Sequence, residues 1–273
     1  MISLLKMDIR RIFKSKGIYV GAFCCLIVTL FFVSAIGLSQ DSAKVGNLDK
    51  DGVQISSTMS NETAFQINAA ESVHLIISSA GLFTLLLMIL NSMFIGSDFD
   101  SGFVKNIFTY RAGRIQYLLS KWIVMQAISA IYLLLIMGSL DLYERSGVVK
   151  LSAVSAQEVM TMFLFGLLYS GVSLALSSTV AVLFRNKAVN IAASFILSCG
   201  WLVQAVSAVM GILKIDGTVG KRHILDYTIY GAKNSIVDFL NPKGAQFSIL
   251  VLGVWLIIWL ISSCIILKKR DIS

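Results

Sequence analysis

Six stretches of this chain run with no charged residue and almost entirely in apolar side chains. They cover Gly17–Leu38, Leu75–Ile95, Trp122–Leu140, Val159–Phe184, Ile191–Leu213 and Phe247–Leu267. Crossing a hydrocarbon core of roughly 30 Å takes about 20 helical residues, so each stretch has the length of a membrane span. Backbone amides and carbonyls find no water in lipid and must bond within their own segment, which makes each span a helix. The pattern predicts an all-α membrane protein with six transmembrane helices in a single domain covering residues 1–273.

Between and beside the spans the pattern changes. In residues 1–16, Ile2, Leu5, Ile9, Ile12 and Phe13 recur at near-helical spacing, while Lys6, Arg10, Arg11, Lys14 and Lys16 take mostly the other faces. Such a helix lies along an anionic leaflet, with each cation near the surface contributing about 1 kcal/mol. A cleaved signal would have an apolar region of about 7–15 residues, shorter than the run from Gly17 to Leu38. Ser39–His74 is a long polar loop that includes an Asn61-Glu62-Thr63 sequon, and Asp141–Glu158 is a shorter loop. Arg185–Asn190 reads as a tight turn. Lys214–Gln246 is apolar enough, through Tyr227, Tyr230, Ile236 and Phe239, to hold one or two short helices at the membrane face. Ser235 is suited to start one of these and Asn241-Pro242 to end it.

Small polar residues repeat along one face of the fourth span, at Ser170, Ser173, Ser177 and Ala181, and again in the fifth at Ala193, Ser194, Ser198, Gly200 and Gln204. Close helix packing is the expected use of such stripes, with a path for a polar solute as the second reading.

Composition agrees with this picture: 56% of residues are hydrophobic and 14% charged, against about 25% charged in soluble domains. The +8 net charge follows from topology. With the N-terminus inside, the inner segments collect Lys6, Arg10, Arg11, Lys14, Lys16, Lys105, Arg111, Arg114, Lys121, Arg185, Lys187 and Lys268–Arg270. Only Asp8, Asp98, Asp100 and Asp271 oppose them. The positive-inside bias therefore puts both termini in the cytoplasm and makes nucleic-acid binding an unneeded explanation of the basic balance; the family resemblance described below adds the expectation of a bacterial plasma membrane. Cys24, Cys25, Cys199 and Cys264 all fall inside spans, where free cysteine acts as a small hydrophobe.

Chemistry is sparse. His74 and His223 stand alone, and neither a zinc-protease H-E-x-x-H nor a Gly-x-Ser-x-Gly elbow occurs. The spans lack the midplane ionisable groups on which ion-coupled carriers depend. Gly217-Thr-Val-Gly220-Lys221-Arg222 imitates a P-loop, but Ile215 replaces its first glycine and Arg222 its magnesium-binding hydroxyl. No loop on the inner side could house a nucleotide-binding domain. Catalytic, cofactor and metal residues are therefore expected to be absent from this chain.

The most structured polar stretch is the inner turn between the second and third spans, from Phe94 to Arg114, closed by Lys121. It holds Asp98, Asp100, Gly102, Phe103, Val104, Lys105, Ile107, Phe108, Arg111 and Arg114. Phe103, Val104, Ile107 and Phe108 fall on one face of a short helix, which Asp100 or Ser101 can begin and Ala112-Gly113 can end. A helix this short is unstable alone in water and needs a surface to rest on.

With its six spans, basic amphipathic N-terminus and acidic-then-glycine turn followed by Arg and Lys, the chain resembles permease subunits of the ABC-2 type of ATP-binding-cassette exporters. Phe94, Asp98, Gly102, Lys105, Arg111 and Lys121 carry the resemblance. Asp98 stands where Glu is frequent, and Tyr110 where a small residue or proline often precedes Arg. The resemblance implies a second permease copy or a related permease, and a cytoplasmic ABC ATPase that holds the ATP and Mg. It also implies that the turn is a coupling helix seated in a groove of that ATPase. Phe103, Ile107 and Phe108 would anchor it, with Lys105, Arg111 and Arg114 at the rim beside Asp98, Asp100 and Gly102. Within the family, a compact chain with a long first loop is most similar to permeases for lantibiotic or bacitracin immunity and amphipathic-peptide export. A peptide-like cargo would then leave from the membrane or cytoplasm, along a path lined by the second and fifth spans. The alternatives are a non-transporting immunity or scaffold protein and, less compatible with the uncharged spans, an ion-coupled transporter.

Overall fold

In a computed structural model, residues 2–45, 76, 82–104, 113–147, 156–184, 186–212, 218–219, 222–234 and 242–269 are described. Apart from short turns and one two-residue antiparallel ladder they are helical. The elements in order are α1 (Ile2–Lys14), α2 (Lys16–Val45), α3 (Leu82–Asp100), α4 (Arg114–Arg145), α5 (Ala156–Phe184), α6 (Lys187–Ser198) and α7 (Trp201–Ile212). After them come β1 (Thr218–Val219), β2 (Arg222–His223), a 3-10 turn at Ile224–Tyr227, α8 (Ile229–Asn234) and α9 (Pro242–Lys269).

Five of these helices, α2, α3, α4, α5 and α9, are long and apolar enough to cross a membrane, and α6 with α7 makes a sixth if the bent pair counts as one span. The chain is a helical, multi-pass membrane protein. Its surface says the same: Tyr19, Phe23 and Phe31 of α2 and Leu250, Ile257 and Ile261 of α9 are exposed large apolar side chains. In water such faces would be a liability; in lipid they are the solvated side.

Helix α5 is the hub. It packs on α3, α4, α6 and α9, and Val172, Leu174, Ala175, Ala181 and Val182 are fully enclosed. The small-residue stripe is what allows this crowding. Ser170 meets Ser129 of α4 at 3.0 Å, and Ser177 meets Ser92 of α3 at 3.2 Å. Thr179 meets Ser263 of α9 at 2.6 Å. Ser92 also lies 2.7 Å from Ser194 of α6, while Asn91 donates to Leu174 O at 3.2 Å and to Ser178 Oγ at 3.0 Å. Short hydroxyls let backbones approach and satisfy one another where no water reaches. The stripes at Ser170–Ala181 and Ser194 are thus buried between helices.

The structure departs from the hydropathy pattern in several places, among them α2, which runs on to Val45 through the expected start of the Ser39–His74 loop. First, the fifth apolar stretch is not one straight helix: α6 and α7 are bent by 48° at Cys199-Gly200, where Gly200 has φ +69°. A left-handed residue ends a helix, and glycine takes that conformation at no steric cost. Second, Pro242 stands at the first position of α9, where its missing amide is one of the unpaired donors of a first turn anyway. Ile229–Asn234 forms one short helix of this region, and the helix expected between Ser235 and Asn241 lies outside the described residues. Trp255 Nε1 donates to Tyr227 O at 2.8 Å and Tyr227 meets Phe247 edge-on, which seats the short helices against α9.

Third, α3 and α4 continue past their apolar stretches. Helix α3 runs on to Asp100 and α4 starts at Arg114, eight residues before Trp122. The charge-free segments therefore sit on helices that carry Asp98 and Lys121 in their extensions. Asn186 caps α6, accepting from Ala188 N at 2.9 Å, so the turn after α5 is shorter than Arg185–Asn190.

Candidate functional site: a buried ion network at the basic end

Helix α1 lies against the start of α4, through a face that the lipid-facing amphipathic pattern does not mark. Ile12 and Asp8 are buried, Leu5 is half-buried, and Ile9 and Phe13 face outward. Leu4, Asp8 and Ile12 are four residues apart, so they stack on one side of the helix. An acid thus stands in the middle of the face α1 presents to the bundle.

Asp8 is received by α4. Ser120 Oγ donates to Asp8 Oδ2 at 2.7 Å, and Lys121 Nζ lies 2.8 Å from Asp8 Oδ1. The same ammonium is 2.7 Å from Asp98 Oδ2 at the end of α3. Asp98 is completed by Tyr117, whose hydroxyl donates at 2.9 Å, and by Arg11, whose Nη2 donates to Oδ1 at 2.7 Å. Lys121 and Asp98 side chains have 0% exposure and Asp8 1%, whereas Arg11 keeps 36%.

Two rings close the site. Phe94 lies beneath Lys121, with the ammonium 3.6 Å from the ring centre, and Phe103 lies beneath Arg11 at 4.5 Å. Ring faces attract a cation most when water is excluded. Two carboxylates and two cations make the group neutral overall. Its burial is therefore tolerable, whereas any single member left alone would carry a large desolvation cost. Next to it a smaller apolar cluster joins Val104, Tyr117, Leu118, Val182 and Leu267, with Leu4, Met7, Phe99 and Phe103 packed on its edge.

Chain direction changes sharply here. Gly102, at φ +66°, ends α3, its amide donating to Phe99 O at 3.2 Å. Phe103 and Val104 then resume helical geometry, with Val104 1% exposed. Ser101 Oγ turns back to donate to Asp98 O at 3.4 Å.

The residues expected to face a partner divide into groups. Asp98 points inward, Phe103 is half-buried under Arg11, Gly102 supplies the turn and Asp100 is exposed. Arg114 donates to the carbonyls of Leu267 at 3.3 Å and Lys268 at 3.0 Å, so it holds the last turn of α9. Lys105, Ile107, Phe108 and Arg111 lie outside the described residues. On α1, Lys6, Arg10 and Lys14 are exposed, as is Lys16 at the start of α2, while Arg11 turns into the network.

Sequence reading misses Tyr117 and Ser120, gives Asp8 no role beyond the charge balance, and takes Lys121 as the close of the turn and a carrier of the resemblance. Two signals point to the network nonetheless. Asp8 is the lone acid of the first forty residues yet sits at helical spacing with Leu4 and Ile12, and Lys121 is the lone charge between Arg114 and Asp141. A single charge embedded in an apolar helix face calls for a buried partner of opposite sign.

What the arrangement can do is mechanical. Helices α1, α3 and α4 meet at one ammonium, so they move together or the network breaks. Among the described residues no cluster of His, Cys, Asp and Glu could hold a metal ion. No protein-family model matches the chain, and no curated protein matches it either.

Proposed function

We propose that this chain is the membrane-spanning permease subunit of an ATP-driven exporter of the ABC-2 type, acting on amphipathic peptides or peptide antibiotics. The observation that carries the reading is the junction at Lys121. The turn that resembles a coupling helix begins at Gly102, soon after Asp98, a residue locked to α1 and α4. A push applied to residues 103–112 would reach three helices at once instead of being absorbed by a loose loop. ATP and Mg belong to a separate cytoplasmic subunit, and the chain itself hydrolyses nothing.

In this reading the end bearing Lys14, Asp98 and Lys121 faces the cytoplasm, as the positive-inside bias requires. The bent α6–α7 pair counts as the fifth of six spans, and both termini are cytoplasmic. Two permeases, identical or related, enclose a path to which the second and fifth spans contribute. The apolar, uncharged faces of the spans suit a cargo that partitions into lipid.

The test is purification from native membranes in mild detergent, then measurement of nucleotide hydrolysis. The reading expects a co-purifying ATPase whose activity responds to Arg111→Glu while the permease remains folded. A non-transporting immunity scaffold predicts no ATPase and unchanged protection by that variant.

A further inference from the structure

A cavity of about 260 Å³ opens at the basic end between the α1–α2 junction, α3 and the start of α6. Its polar lining is cationic and hydroxylic: Arg11, Lys187, Ser15 and Ser97. Among the described residues no carboxylate lines it, and the rest of its described wall is apolar, including Leu90 and Met93.

Both cations have capacity to spare. Arg11 uses Nη2 on Asp98, while its Nη1 is buried with no hydrogen-bond partner. Lys187 makes no ion pair among the described residues. Its position is fixed by close packing, because a Cβ placed on Gly96 of α3 would lie 3.4 Å from the Lys187 Cα and Cβ. Ser97 Oγ gives its proton to Phe94 O at 3.0 Å, whereas Ser15 Oγ accepts from Gly17 N at 3.3 Å, so Ser15 is the hydroxyl with a proton to offer.

We infer that this cavity is a binding site for the phosphate-bearing headgroup of an anionic phospholipid. Two cations border one small volume, where they can share the two non-bridging oxygens of a singly charged phosphodiester. The apolar wall continues from them along membrane-spanning helices, as the glycerol and upper acyl chains require. A soluble phosphate would use the cations but gain nothing from Leu90, Met93 and Ile18. The site stands whether or not the chain is driven by ATP. It ties the α1–α2 junction to α3 and α6 through a lipid, beside the Asp98 network.

Delipidated full-length protein, reconstituted separately with phosphatidylglycerol and phosphatidylcholine and studied by native mass spectrometry, tests this. Phosphatidylglycerol should be retained in preference, and Lys187→Gln should reduce its retention on the order of fivefold, the effect of one surface-proximal cation. Met93→Trp fills the cavity without altering charge, at a side chain already 38% exposed, and should reduce retention as well. Lys14→Gln, an exposed cation outside the cavity, should not. Equal retention of both lipids overturns the assignment, as does wild-type retention in Lys187→Gln and Met93→Trp. Displacement of the lipid by an equal concentration of glycerol 3-phosphate overturns it in favour of a soluble anion.

Discussion

Lys121 Nζ sits 2.7 Å from Asp98 Oδ2, and neither side chain reaches solvent. Two helices that are separated by thirteen residues in sequence, α3 and α4, are thereby joined at a point that α1 also reaches through Asp8.

Lys121→Met removes the shared cation and leaves two buried carboxylates with Arg11 as their remaining counter-charge. Breaking a buried pair from one side costs about 3–5 kcal/mol, and thermal unfolding in detergent should show a loss of that order. The triple change Asp8→Asn, Asp98→Asn, Lys121→Met removes every fully buried charge, leaving only the part-exposed Arg11, and should recover much of it. If Lys121→Met alone unfolds at the wild-type temperature, the network is not holding these helices.

Single neutralisations of the acids should be milder and ordered. Asp8→Asn leaves Lys121 paired with Asp98, and Asp98→Asn leaves it paired with Asp8 but strips Arg11 of its acceptor. The predicted order of melting temperature is wild type, Asp8→Asn, Asp98→Asn, then Lys121→Met. Raising salt should change these differences little, since buried charges are weakly screened.

How much of this is legible in the sequence depends on what hydropathy can register. The fourth stretch, Val159–Phe184, corresponds to α5 at Ala156–Phe184, because an uninterrupted apolar run and a buried hub helix are the same signal. The third stretch begins at Trp122 because Lys121 is charged, although the helix reaches back to Arg114. A hydropathy window counts a charge as water-facing; it does not see Asp8 arriving from α1 more than a hundred residues away. Gly200 is invisible for another reason: its neighbours are apolar on both sides, and only its φ marks the break. Pro242 is compatible with either end of a helix, and the long apolar run on its C-terminal side decides that it opens α9. Of the candidate site, Asp98 and Gly102 stand out in the sequence through the family resemblance, as residues facing a partner, whereas the inward turn of Asp98 and its partners come from tertiary contacts.

Gly200 offers a separate test. Any Cβ there would lie 2.9 Å from the ring of Tyr230, in a left-handed conformation that costs an L-residue about 1–2 kcal/mol. Gly200→Ala should destabilise by at least that much in a thermal melt. Adding Tyr230→Ala should relieve the clash but not the backbone strain, so recovery should be partial. Full tolerance of Gly200→Ala would mean that α6 and α7 form one straight helix.

At Ser92 the helices are close enough for its hydroxyl to meet both Ser177 and Ser194. Ser92→Ala should cost only about 0.6 kcal/mol, a common value for hydrogen bonds between membrane helices. Ser92→Leu must force α3 away from α5 and α6, at about 1–3 kcal/mol. The contrast between the two variants in the same melting assay separates close packing from hydrogen bonding.

The central claim is that work enters at the turn after Gly102, on the cytoplasmic side, from an ATPase. A photo-crosslinking amino acid in place of the exposed Asp100, activated in native membranes, tests it most directly. The account predicts an adduct with a nucleotide-hydrolysing subunit, formed at the inner face of the membrane. Reaction of the same position with reagents confined to the outside of intact cells, or purified complexes in which position 100 never meets an ATPase, would contradict it.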